Sequence, residues 1–163
     1  FNRATQAYRQ IGSTVKPILY TAAIDRGLTP TTRLVDEPTT FDAGAGQPPY
    51  QPGNYDRKFM GPMTLRRALE QSRNIPAVKV IEMLGPAQVA SYAKQFGFSQ
   101  EFRPFLSMAL GAQEATLLEM TSAYTAFPNH GIRMEPFYAQ AITDREGSLL
   151  EERRPPLMRL ALM

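Results

Sequence analysis

Two short stretches of this sequence carry side chains that could make and break an acyl bond. The first is Gly12-Ser13-Thr14-Val15-Lys16-Pro17. A serine hydroxyl is a weak nucleophile until a base removes its proton. A lysine can be that base once burial or a neighbouring cation depresses its pKa. Spaced i, i+3 on a helix, the two side chains share one face. The second stretch is Ser72-Arg73-Asn74. Its hydroxyl can relay a proton, and its amide can hold a substrate amide.

Each pattern also has a plainer reading. Ser13 can cap a helix while Lys16 points to water. Ser72 can end one helix and Asn74 start the next. The S-x-x-K spacing recurs at Ser91-Tyr92-Ala93-Lys94, inside an expected helix. Pro17 distinguishes the first copy. Its ring excludes the carbonyl four residues earlier, which belongs to Ser13. Ser13 is thereby pinned at or just before the helix N-terminus, where unpaired N–H groups and the dipole favour negative charge. Gly12 leaves room beside the hydroxyl for a carbonyl to approach.

Composition narrows the chemistry further. The absence of Cys excludes disulfides, thiolate catalysis and Cys-type metal sites. His130 is the single histidine, so a His-based metal cluster is excluded. It sits in Pro128-Asn129-His130-Gly131, which is turn chemistry. Neither a Cys-based nor a His-based metal site is therefore expected. A formal charge of +3 with scattered basic residues gives no footprint for nucleic acid. Over 163 residues, 43% are hydrophobic and 20% charged, which suits one globular domain. No apolar run reaches the length of a membrane span. The chain starts at Phe1 without a charged-then-apolar leader and reads as a piece of a longer protein.

The elements that must position these residues are mainly helical. Apolar Val15, Ile18, Leu19 and Ala22 predict a helix from about Thr14 to Arg26, closed by Gly27. Residues Thr29 to Asp36 read as extended. Glu37 to Pro62 is a long loop rich in Pro, Gly, Asn and Tyr, a length that is uncommon unless functional or disordered. Thr64 should cap a short helix to Gln71, and a second helix should run from Asn74-Ile75-Pro76 to Gly85. Pro86 can open a third, to Phe96. Thr116-x-x-Glu119 is a capping box ahead of another helix. "AQAIT", "DREG" and "SLL" predict two strands and a tight turn. Helices with a late hairpin give an α+β class rather than alternating β/α.

Together these residues resemble the transpeptidase domain of the class A penicillin-binding proteins. Asn2 to Ala23 is similar to that family's nucleophile segment. Tyr50 to Val80, "YQPGNYDRKFMGPMTLRRALEQSRNIPAVKV", is similar to its stretch leading through the second motif. Met108 to Phe137 resembles the helix and loop that follow. The resemblance implies a penicillin-binding protein/serine β-lactamase-like transpeptidase fold, incomplete, with a partial domain over 1–154 and a divergent tail at 155–163. Ser13 would be the acylated nucleophile and Lys16 its base. Ser72 and Asn74 would assist proton transfer and bind the peptide. The Ser13 backbone N–H would form part of an oxyanion hole.

The implied reaction is peptidoglycan cross-linking, for which the resemblance implies no metal or cofactor. Serine attacks the D-Ala-D-Ala bond of a stem peptide, and the acyl group passes to an amine of a neighbouring stem. β-Lactams would acylate the same serine. A D,D-carboxypeptidase or β-lactamase shares the Ser-Lys logic but sends the acyl group to water. A non-catalytic binding or scaffold remnant is the third reading. The implied setting is the bacterial envelope, at the outer, periplasmic face of the cytoplasmic membrane, reached through an N-terminal anchor that this stretch lacks, as it lacks the family's glycosyltransferase domain.

The sequence departs from the family in three places. Ile11 stands where Pro is usual, and Val15 where Phe is usual. No Lys or His is followed by Thr or Ser and then Gly, so the family's third motif is absent. "PPLMRLALM" does not resemble the family's continuation. The expectation is a chain altered or truncated before the third motif, with impaired activity. Without the missing sheet strands, the nucleophile helix should expose a face and the fragment should self-associate.

Overall fold

Pro17 sets where the first helix begins. The structure, a computed structural model, describes residues 1–44, 46–154 and 158–159. Strand β1 (Arg9–Gln10) leads into a 3₁₀ turn, Gly12–Val15, and then helix α1, Lys16–Asp25. The expected start at Thr14 is therefore two residues early. Ahead of Pro17 the ladder tightens, and the Lys16 N–H donates to the Ser13 carbonyl. The Ser13 carbonyl thus finds a partner without meeting the proline ring.

The expected extended run shortens to β2 (Arg33–Asp36), which pairs antiparallel with β3 (Gly61–Thr64). Residues 29–32 form a turn instead, with the Thr32 N–H on the Thr29 carbonyl at 2.9 Å. Threonine hydroxyls satisfy that turn locally: the Thr29 N–H donates to Thr32 Oγ1 at 2.9 Å. Thr64 caps α2 (Leu65–Glu70) by accepting from the Arg67 N–H. Helices α3 (Asn74–Leu84) and α4 (Pro86–Lys94) follow, separated by Gly85 at φ 86°. Helix α4 stops two residues before the expected Phe96, which joins a closing turn to Ala93.

A second 3₁₀ turn, Leu106–Leu110, precedes β4 (Glu114–Ala115), the partner of β1. Helix α5 (Leu117–Tyr124) opens with the full capping box of Thr116 and Glu119. The later hairpin, expected as two strands and a tight turn, is β6 (Ala141–Thr143) against β7 (Leu149–Glu152). Strand β5 (Ile132–Arg133) pairs with β8 (Met158–Arg159). Apart from these two residues, the expected divergent tail at 155–163 lies outside the described residues. The architecture is α+β: helices carry the core, and short antiparallel pairs brace its edges.

The core forms where α3 is buried almost all round. Ile75, Val78, Val80 and Ile81 of α3 pack with Ile18, Leu19 and Ala23 of α1 and Met108 of the second 3₁₀ turn. Each such aliphatic side chain contributes about 1.5–3 kcal/mol by leaving water. The long loop is ordered by the same principle. Phe41 is buried and exchanges two backbone hydrogen bonds with Tyr50, at 2.9 and 3.0 Å.

The expectation of an exposed face on the first helix, α1, does not hold. Six of the ten α1 residues are buried, because α2, α3, α4 and the 3₁₀ turns surround it. Ile24 is its one exposed large apolar side chain among the described residues. Exposed apolar surface lies instead on α5, where Leu117 is 65% exposed. There a largely apolar groove of about 750 Å³ runs past Ile11, Met120 and Tyr124.

Candidate active site

The turn that carries Ser13 is tied down from two sides. The Gly12 N–H donates to the Gly111 carbonyl at 3.1 Å, and the Ile11 N–H to the Gln113 carbonyl at 3.0 Å. The Tyr124 hydroxyl of α5 donates to the Thr14 carbonyl at 2.7 Å. Ser13 itself is exposed, at the rim of a cavity of about 520 Å³. Asn54, Tyr55, Ser72 and Asn74 share that lining.

Ser72 occupies a demanding backbone position. Helix α2 ends with Arg73 N–H on the Ala68 carbonyl and Ser72 N–H on the Leu69 carbonyl, both at 2.9 Å. This is a Schellman closure, whose left-handed residue is usually glycine. Here that residue is Ser72, at φ 49°. The hydroxyl is thus presented at a position where a glycine would cost less.

Lys16 sits beneath it, 1% exposed. Its ammonium donates to the Ser72 carbonyl at 2.6 Å, to Ser72 Oγ at 3.1 Å and to Asn74 Oδ1 at 2.7 Å. Three N–H donors meet three neutral oxygens, and among the described residues no carboxylate contacts this nitrogen. Burial, reinforced by the nearby Arg73 cation, therefore lowers the Lys16 pKa from 10.5 to about 8. A lysine so tuned can hold or release a proton near neutral pH.

The structure brings Lys16, Ser72 and Asn74 into direct contact, and it places Ser13 on the same cavity. It makes no hydrogen bond between Ser13 Oγ and Lys16 Nζ; the ammonium is taken up by Ser72 and Asn74. The competing Ser91 and Lys94 are both exposed on α4, away from this cavity. Sequence reading missed Asp36, Asn54 and Gly111, which hold the site from behind. Their separation in the chain hides them, although Asn54 and Asp56 lie in the Tyr50–Val80 stretch quoted above. Among the described residues, no group of His, Cys, Asp and Glu is placed to hold a metal. None of the described helices is long and apolar enough to cross a membrane.

The chain is similar to known proteins over nearly its whole length. The family model described as penicillin binding protein transpeptidase domain matches residues 1–160. Penicillin-binding protein 1A of Rickettsia conorii is 39% identical over 153 residues, covering 94% of this chain and 19% of that protein. Penicillin-binding protein 1A of Escherichia coli K12 is 39% identical over 157 residues, covering 95% of this chain and 18% of that protein. The chain thus spans less than a quarter of the length of these curated relatives. The crystal structure of penicillin-binding protein 1A from Haemophilus influenzae superposes with a TM-score of 0.90 at 39% identity, over 98% of this chain and 24% of that one. Penicillin-binding protein A of M. tuberculosis, as its imipenem acyl-enzyme, shares the fold at a TM-score of 0.83 and 21% identity, over 98% of this chain and 41% of that one. With its α+β architecture and a match over nearly its whole length, the chain belongs to the penicillin-binding protein transpeptidase family.

Proposed function

We propose that the chain carries the acylating half of a serine D,D-transpeptidase site. Residues 1–154 form this part of the domain, and 155–163 diverge from it. The observation that carries the reading is the three-way contact of a buried lysine with Ser72 and Asn74, on the cavity that Ser13 borders. The acyl-enzyme complex of the M. tuberculosis neighbour lends support at the level of fold.

In this reading neutral Lys16 takes the Ser13 proton as Oγ attacks the carbonyl carbon of a D-Ala-D-Ala peptide bond. The Ser13 N–H steadies the oxyanion. The C–N bond then breaks, and Ser72 relays the proton from Lys16 to the departing D-Ala amine. Asn74 holds the stem peptide through its amide. An amine of a second stem attacks the ester, yields its proton to the same relay, and frees Ser13 with a new peptide bond. β-Lactams acylate Ser13 by the same attack. The setting is the bacterial envelope, at the periplasmic face of the cytoplasmic membrane.

The sequence holds no Lys-Thr-Gly or Lys-Ser-Gly. In the family that third motif lies on a strand that supplies an oxyanion donor and a carboxylate site, and a site working without them is slower by ~10²–10³. The test is labelling with a fluorescent penicillin. Ser13→Ala should abolish labelling, and Ser91→Ala should leave it unchanged. A chimera continued with the corresponding Haemophilus influenzae region should label faster than the chain alone. If neither the chain nor the chimera labels, the acyl-transfer reading is wrong.

A further inference from the structure

The carboxylate of Asp36, at the end of β2, has none of its surface exposed. It accepts from Arg73 Nε at 2.8 Å, from Asn54 Nδ2 at 2.7 Å and from the Met60 N–H at 3.0 Å. Arg73 is itself buried, and it also donates to Asp56 Oδ2 at 2.9 Å and to the Lys58 carbonyl. A buried ion pair is costly to desolvate, and it persists only when every remaining donor and acceptor is met. Here each of the three Arg73 nitrogens and both Asp36 oxygens has a partner.

The network reaches the site through Asn54. While Nδ2 faces Asp36, Asn54 Oδ1 accepts the Asn74 backbone N–H at 2.8 Å. That N–H opens α3, whose cap position is Arg73, a side chain that makes no capping bond. The missing cap comes from 20 residues earlier in the chain. Next to it, the Gly53 carbonyl accepts Asn74 Nδ2 at 2.8 Å. A carbonyl only accepts and an ammonium only donates. The Asn74 amide therefore has one orientation, with Nδ2 on Gly53 and Oδ1 on Lys16.

We propose that Asn54, held by the buried Asp36–Arg73 pair, is a positioning residue that caps α3 from a distance and fixes Asn74 against Lys16. Its bearing on acylation rests on the function proposed above for Lys16. Asn54 touches neither Ser13 nor Lys16; it acts through Asn74.

The test uses this chain with Asn54→Ala, Asn54→Asp and the swap Asn54→Asp with Asp36→Asn. Two NMR readouts need no activity: hydrogen exchange at the Asn74 backbone amide, and the pH titration of the Lys16 side chain. Asn54→Ala should speed Asn74 exchange by about tenfold or more, with Met120 in α5 unchanged. It should also move the Lys16 midpoint by more than ~0.5 pH unit, because one of the three acceptors loses its fixed place. Asn54→Asp should do the same through repulsion by Asp36 and by the Lys58 carbonyl, which also accepts from Asn54 Nδ2 at 2.9 Å, and the swap should move both readouts part of the way back by removing the first repulsion. Unchanged exchange and an unchanged midpoint overturn the proposal. Faster exchange with an unchanged midpoint overturns the positioning role and leaves Asn54 a structural cap. If Asn54→Ala fails to fold, the Asp variant and its swap decide. Labelling by fluorescent penicillin is followed separately. If the unsubstituted chain never labels, the acyl-transfer reading fails while the NMR readouts still judge Asn54.

Discussion

A Cβ placed on Gly111 would stand 2.0 Å from the carbonyl oxygen of Gly12. The backbone of the Ser13 turn is thus packed directly against a glycine almost a hundred residues later in the chain. Gly111 also sits at φ 71°, where an L side chain is strained. Gly111→Ala should displace the Ser13 turn and reduce penicillin labelling at least ~10-fold. A Cβ placed on Gly12 itself would meet no atom within 4 Å, so only its φ of 52° is at stake there. Gly12→Ala should cost about 1 kcal/mol of backbone strain and leave more activity. Paired thermal melts and labelling rates separate the two.

Ser72 should show a trade between stability and activity. Its left-handed conformation costs about 1 kcal/mol relative to glycine. Ser72→Gly is therefore expected to raise the melting temperature while removing the hydroxyl 3.1 Å from Lys16. Labelling by fluorescent penicillin should fall by ~10²-fold or more, the scale of a lost proton relay. A variant that is both less stable and equally active would contradict this account.

The buried ammonium predicts an unusual pH response. Lys16 titrates near 8 in the folded chain and near 10.5 in the unfolded one. Below pH 8 both states hold the proton, and the cost of burying the charge is fully present. Between 8 and 10.5 only the unfolded chain keeps it, so stability rises with pH. The gain from pH 8 to 10 should be on the order of 2 kcal/mol. Above pH 10 buried Tyr20 and Tyr92 oppose it: burial raises both pKa values, that of Tyr92 to about 12 with help from Asp25, so the unfolded chain ionises first. Urea unfolding from pH 7 to 10 should show the rise, and Lys16→Met should abolish it. Acylation should climb to about pH 8 and then level off.

Two ion pairs should differ sharply in worth. Arg73 and Asp36 are buried, so Arg73→Ala leaves an uncompensated carboxylate and should cost about 3–5 kcal/mol. Arg67 and Glu70 are about half exposed, with side-chain accessibilities of 52% and 49%. Glu70→Gln should change stability by less than ~0.5 kcal/mol. Chemical denaturation of both variants gives the comparison.

The sequence by itself determined the local elements, because their causes are local. Pro17 fixed where α1 could begin, Thr64 and the Thr116–Glu119 box fixed two helix starts, and Gly85 with Pro86 divided α3 from α4. It also singled out Ser13, Lys16, Ser72 and Asn74, through spacing and family resemblance. Only the tertiary structure decided what those residues touch. It gave the Lys16 ammonium to Ser72 and Asn74 rather than to Ser13, and it buried that charge without a carboxylate beside it. It ended the expected extended segment short, because threonine hydroxyls turn residues 29–32 back on themselves. It covered α1 and left the apolar face on α5. It also joined Asp36, Asn54 and Arg73 into one buried network, and set Gly12 against Gly111. These contacts connect positions far apart in the chain. Their energies come from burial and from matched donors and acceptors, and neither has a periodicity that a linear sequence displays.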